Sequence, residues 1–137
     1  MPNIPTVPPT IARAFNAFPA APKLKLLQMR RLIYNTAAKN TAIGPISETL
    51  KWGQPSYVPE KPRTGTAVRL GWSEQSPEVI HLFVHCQTTL VDTYRTLIGD
   101  ELGFEGNRAI VVPLKGALPK TTLQLCIEAA FTYHKKR

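Results

Sequence analysis

Glu48, Trp52 and Tyr57 fall within one short stretch, Ile46-Ser47-Glu48-Thr49-Leu50-Lys51-Trp52-Gly53-Gln54-Pro55-Ser56-Tyr57. One carboxylate and two aromatic rings this close along the chain are the materials of a pocket for a small polar ligand. Arg69, on the next segment of alternating polarity, supplies a cation to complete it. The competing role is structural: Trp52 and Tyr57 pin a Gly-x-Pro turn, and Glu48 bonds backbone amides or pairs with Lys51. A second group is acidic. Asp92 precedes the adjacent Asp100 and Glu101, and Glu105 follows beyond Gly103. Carboxylate oxygens suit hard cations and ferric iron. Asp100, Glu101 and Glu105 are therefore the candidate metal ligands and iron the candidate ion, against the plain alternative of a solvated rim. His81 and His85 stand about 13 Å apart if they share an extended strand. One ion with bonds of about 2 Å does not span that gap.

No other chemistry is spelled out. The sequence lacks GxSxG, GxGxxG, a P-loop, HExxH and a calcium loop. Cys86 and Cys126 fit neither a zinc pattern nor a redox CxxC. Both lie among apolar residues, which predicts inert, reduced thiols. The expectation is a cytoplasmic protein that is not an enzyme and has no resident cofactor. It has no signal peptide at its start and no run of apolar residues long enough to cross a membrane.

Charge bears on partners. The net charge is +8 over 137 residues. Residues 1–63 hold nine Lys or Arg against two Glu, a balance of +7, and residues 64–137 hold eight against seven acids, +1. Arg13, Lys23, Lys25, Arg30, Arg31 and Lys39 are thus candidates for phosphate contacts with nucleic acid or another polyanion. No helix-turn-helix, RRM or zinc-finger signature accompanies them.

The elements that must position these residues follow from periodicity. Residues 1–9, with four prolines, predict an extended arm, and residues 10–137 one domain. Thr10 is placed to cap a short helix with Ile11, Phe15 and Phe18 on one face. Leu26, Met29, Leu32, Ile33 and Ala37 mark a second helix, with Gln28, Arg31, Asn35 and Lys39 on its wet side. Gly44-Pro45 opens a predicted third helix with Ile46 and Leu50 inward, stopped at Gly53. Residues 54–65 read as loop. Alternation then predicts a strand around Val68–Trp72 and another over Val79–Cys86, with His81, Phe83 and His85 on one face. A helix follows over 89–98, then a hairpin of Phe104-Glu105 and Arg108–Val112 about Gly106-Asn107. A last helix spans 120–134. Strands 66–72 and 108–112 are the candidate free edges. Short turns between strands make the sheet mostly antiparallel, and the fold class α+β.

Several segments resemble the YdhG-like bacterial domain of unknown function. The Trp52-Gly53-Gln54-Pro55-Ser56-Tyr57 motif and the acid before it are similar to that family's acid-bearing helix and aromatic-Gly-x-Pro-x-Tyr turn. Leu27-x-x-Arg30-Arg31-Leu32-Ile33, Gly106-Asn107-Arg108-Ala109-Ile110 and Ala129-Ala130-Phe131-x-Tyr133-His134-Lys135 are similar to other parts of it. The resemblance covers roughly residues 19–136. It implies a small antiparallel sheet packed against several helices and no known catalytic set. One branch of the family is described as frataxin-like iron chaperones, whose work depends on clustered surface acids. The functional expectation is a small binding or scaffold domain, its partner a small polar ligand or a protein. An iron chaperone and a weak polyanion binder are the alternatives.

Overall fold

Period-two patterning begins at Ile46, earlier than the sequence suggests, and that shift organises the molecule. The computed structural model describes residues 4–85 and 88–135. Its elements are α1 (Pro9–Asn16), α2 (Ala20–Ala38), β1 (Ile46–Lys51), β2 (Gln54–Pro59), β3 (Val68–Gly71), β4 (Val79–Val84), α3 (Leu90–Ile98), β5 (Gly103–Glu105), β6 (Ala109–Pro113) and α4 (Lys120–Phe131). The six strands form one antiparallel sheet in the order β1-β2-β3-β4-β6-β5. The fold class is α+β.

The predicted third helix is a strand. Ile46 and Leu50 are four residues apart, which puts them on one face of a helix and equally on one face of a strand. Hairpin pairing decides between the two, with Glu48 opposite Tyr57 and Lys51 opposite Gln54. Only Trp52 and Gly53 connect β1 to β2, and both have positive φ, 56° and 75°. That combination is the hallmark of a type I′ turn, whose twist matches that of the flanking strands. The predicted loop at 54–65 accordingly starts as β2. Glu48 and Lys51, an odd number apart on a strand, point to opposite faces and do not pair.

Other corrections are local. Thr10 does not cap α1; the helix starts at Pro9, with no side-chain cap. The locked φ of proline favours that first position. Strands β3 and β6 are interior, so the free edges are β1 and β5. The predicted place of Cys86 lies outside the described residues.

The core lies between the sheet and the helices. Ile11 and Phe15 of α1, and Leu26, Met29, Ile33 and Ala37 of α2, meet Tyr57, Val68, Leu70, Ile80, Leu82, Val84, Ile110 and Val112 from the strands. Each large side chain so buried contributes roughly 1.5–3 kcal/mol. Helix α4 packs against α2 and α3 through Leu123, Cys126, Ile127, Ala130 and Phe131. The Tyr94 hydroxyl of α3 donates to the Cys126 carbonyl of α4 at 2.9 Å. Burial pushes the Cys126 thiol up to about 12, which keeps it protonated and unreactive.

Candidate functional site

The four residues proposed to share a pocket divide between the two faces of the sheet. Glu48 and Tyr57 face the helices. Trp52 and Arg69 belong to the turn and to the outer face.

On the helix side, Glu48 gathers four donors. Arg30 Nε and Nη2 approach its two oxygens at 2.6 and 2.9 Å. The Tyr57 hydroxyl donates at 2.7 Å and the Tyr34 hydroxyl at 3.3 Å. Both side chains of the ion pair are only 5% exposed. The Arg30 guanidinium lies 5.0 Å from the centre of the Tyr34 ring. Tyr34 and Tyr57 meet edge to face at 6.0 Å. The cluster bolts α2 to the β1–β2 hairpin. Its carboxylate is saturated and has no lone pair to spare for a reactant. Arg30 is thereby removed from the candidate phosphate contacts. Sequence spacing held part of this signal, because Arg30 and Tyr34 are one helical turn apart and reach the same partner.

Tyrosines in this cluster resist ionisation. Burial, then the hydrogen bond to Glu48, pushes the Tyr57 hydroxyl far above the usual tyrosine range. Burial and the Glu48 charge push Tyr34 up to about 12. An unfolded tyrosine loses its proton near about pH 10. The stability that comes from this difference is complete below that pH and declines as pH rises toward the folded-state values. Denaturation midpoints should therefore fall above about pH 10. Tyr57→Phe, which has no proton to lose, should flatten that slope.

On the outer face, alternation along β4 brings His81 and Phe83 side by side. Their rings stack at 5.2 Å with an interplanar angle of 11°. Arg69 and Arg108 approach Phe83 from the neighbouring strand and from the β5–β6 turn. Their guanidinium carbons are 5.4 and 5.7 Å from the ring centre. Trp52, Gln54, Arg69, Phe83, Val84, His85 and Arg108 enclose a cleft of about 350 Å³. It is lined by strand and turn residues only. Trp52 stands at its rim, 89% exposed. Arg69 and His85 make further interactions of their own. Phe83 and Gln54 were not singled out from the sequence, although the strand alternation that places His81, Phe83 and His85 together pointed to this face; Asn107-Arg108 reads there as turn chemistry first and as a donor to the same sheet second.

The acidic candidates do not converge. Glu105 lies 2.9 Å from His81 Nε2 and 3.6 Å from Arg108. Glu101 accepts from the Thr122 hydroxyl at 3.0 Å. Asp100 is exposed, and Asp92 pairs with Arg95 at 3.5 Å. Among the described residues no three His, Cys, Asp or Glu side chains are grouped to hold a metal ion. Nor is any helix among them long and apolar enough to cross a membrane.

Comparison with known proteins gives one informative result. No family model matches the chain, and no curated protein sequence matches it. Among solved structures, the chain is similar to the YdhG protein of Bacillus subtilis, of the DUF1801 family. The TM-score is 0.59 at 12% identity, over 88% of this chain and 86% of that one. Sheet, helices and the earlier resemblance of segments agree, and the chain has the YdhG-like α+β fold.

Proposed function

We propose that this chain is a non-catalytic binding domain whose outer sheet face receives a small anionic ligand carrying a planar ring. The observation that carries this reading is Trp52. Left-handed backbone in a residue other than glycine costs about 1–3 kcal/mol, and here it holds a large aromatic ring out in water. That ring stands over a cleft whose floor, Phe83, is flanked by Arg69 and Arg108. Stacking on Trp52 and charge pairing with the guanidinium groups together select a ring that bears a negative group. The reading places the protein in the cytoplasm, where a free thiol such as Cys126 stays reduced.

Tryptophan fluorescence tests it, with adenosine 5′-monophosphate as first probe and aromatic carboxylates alongside. Ligand should quench emission in the native protein and in Trp72→Phe. Trp52→Ala should abolish the response without lowering the melting temperature. Arg108→Gln should weaken binding about tenfold, equivalent to about 1.4 kcal/mol. Unchanged emission and melting temperature across all probes at millimolar concentration would remove the reading.

A further inference from the structure

The charge excess of the first half leaves several cations unexplained by the outer face. Two of them, Lys25 and Arg31, lie on α2, on the opposite side of the sheet. With Lys120 at the start of α4 they line a cleft of about 350 Å³ between α2 and the loop that enters α4. We propose that this cleft is a second binding site, for the phosphate of a phosphorylated, non-aromatic small molecule such as a sugar phosphate.

Four observations converge on that chemistry. First, three cations line the cleft and no acidic side chain does. Among the described residues neither Arg31 nor Lys120 enters an ion pair. Like charges around one concavity repel, and an anion between them relieves the repulsion. Second, one cation is already in place. The Lys25 ammonium donates to the Gly116 carbonyl across the mouth of the cleft. That bond ties α2 to the loop and uses one of the three ammonium protons. Gly116 has φ +81°, a left-handed conformation that glycine adopts without strain. Ordering the rim before binding lowers the entropic cost of capturing a ligand.

Third, the donors outnumber what a carboxylate can use. An arginine fork, two ammonium groups and the side-chain amides of Gln28 and Asn35 face one space. The terminal oxygens and double charge of a phosphate monoester match that set. The amides remain for hydroxyl groups. Fourth, the cleft is floored by Leu32 and Leu118, each 7% exposed. A carbon skeleton has a dry surface to cover. No aromatic ring lines the cleft, so it offers nothing for a base to stack on and differs in selectivity from the outer face. Helix α4 opens with neither a side-chain cap nor an acidic residue of its own in its first turn, so its dipole adds to the same positive field, offset in part by Glu101, which accepts from Thr122.

Ribose 5-phosphate and inorganic phosphate are the probes, followed by amide chemical shifts of the full chain. Ribose 5-phosphate should shift the amides of Gly116, Ala117 and Lys120, bind more tightly than inorganic phosphate, and lose affinity as salt rises. Arg31→Gln and Lys120→Gln, both exposed positions, should each weaken it about tenfold. Arg108→Gln and Trp52→Ala, across the sheet, should leave it unchanged, which separates failure here from failure of the outer-face reading. No shifts at residues 116–120 with millimolar ribose 5-phosphate would overturn the proposal. So would equal weakening by Arg13→Gln on α1, the mark of diffuse charge, or equal affinity for both probes.

Discussion

Glu48→Ala should cost about 3–5 kcal/mol of folding stability, read from urea denaturation midpoints at unchanged slope. The reason is what the truncation leaves behind. Arg30 stays buried with no counter-charge, and the Tyr57 and Tyr34 hydroxyls lose their acceptor. Removing one member of a buried pair is costly because desolvation of the other is no longer offset. A second variant separates that cause from simple loss of packing. Arg30→Met with Glu48→Leu removes both charges and keeps volume, so it should recover much of the loss. The exposed pair Asp92–Arg95 is the contrast: Asp92→Ala should change stability by less than about 1 kcal/mol. A Glu48→Ala loss as small as that would show that water or backbone takes over the role of the carboxylate.

Gly65→Ala should be comparably damaging, by about 3 kcal/mol or more. A Cβ at this position would stand 2.2 Å from the Phe131 carbonyl oxygen and 2.3 Å from its carbon. Those atoms belong to the last turn of α4 and cannot swing aside as a side chain does. Two backbone bonds hold the approach: Thr66 N–H donates to the Ala130 carbonyl at 2.9 Å, and His134 N–H to the Thr64 carbonyl at 3.1 Å. The loop before β3 thus serves as the C-terminal cap of α4. Gly103→Ala is the control, because the nearest atom to its new methyl, Val111 Cβ, lies at an ordinary 3.5 Å. Melting temperatures of the two variants should differ by several degrees or more. Equal values would mean that the loop and α4 separate without penalty.

Helical spacing made α2 legible down to its buried residues, since Leu26, Met29, Ile33 and Ala37 repeat at intervals that no strand satisfies. Ile46 and Leu50, four residues apart, share a face in both kinds of element, and there the helix reading failed. The deciding information was the turn, and Trp-Gly is an unusual pair for one whose residues both take positive φ; Asn-Gly is the common choice. Glu48 and Tyr57, grouped from their closeness in the chain, meet through a hydrogen bond of 2.7 Å. Helical spacing put Arg31 on the wet side of α2 and left Arg30 beside the apolar stripe. Arg30 was missed as the third member because its partner, Glu48, lies 18 residues away on a segment whose spacing also suits a helix. Alternation along β4 did reveal the outer face, while Arg108 arrives there from a turn 25 residues further on, a residue whose turn role outweighed its reading as a donor to the sheet.

The strand order also sets an order of events. Four of the five pairings in β1-β2-β3-β4-β6-β5 join strands adjacent in the chain, and only β4–β6 skips one. Closing short loops costs little entropy, so the β1–β4 meander and the β5–β6 hairpin are each accessible to fast local assembly. Joining them requires residues 79–113 to close around α3. The β4–β6 seam is therefore the natural late step of folding. During synthesis on the ribosome, the meander is complete in the chain before β6 emerges. Until then β4 is an unpaired edge, and α2, already made, is the element that shields its apolar face.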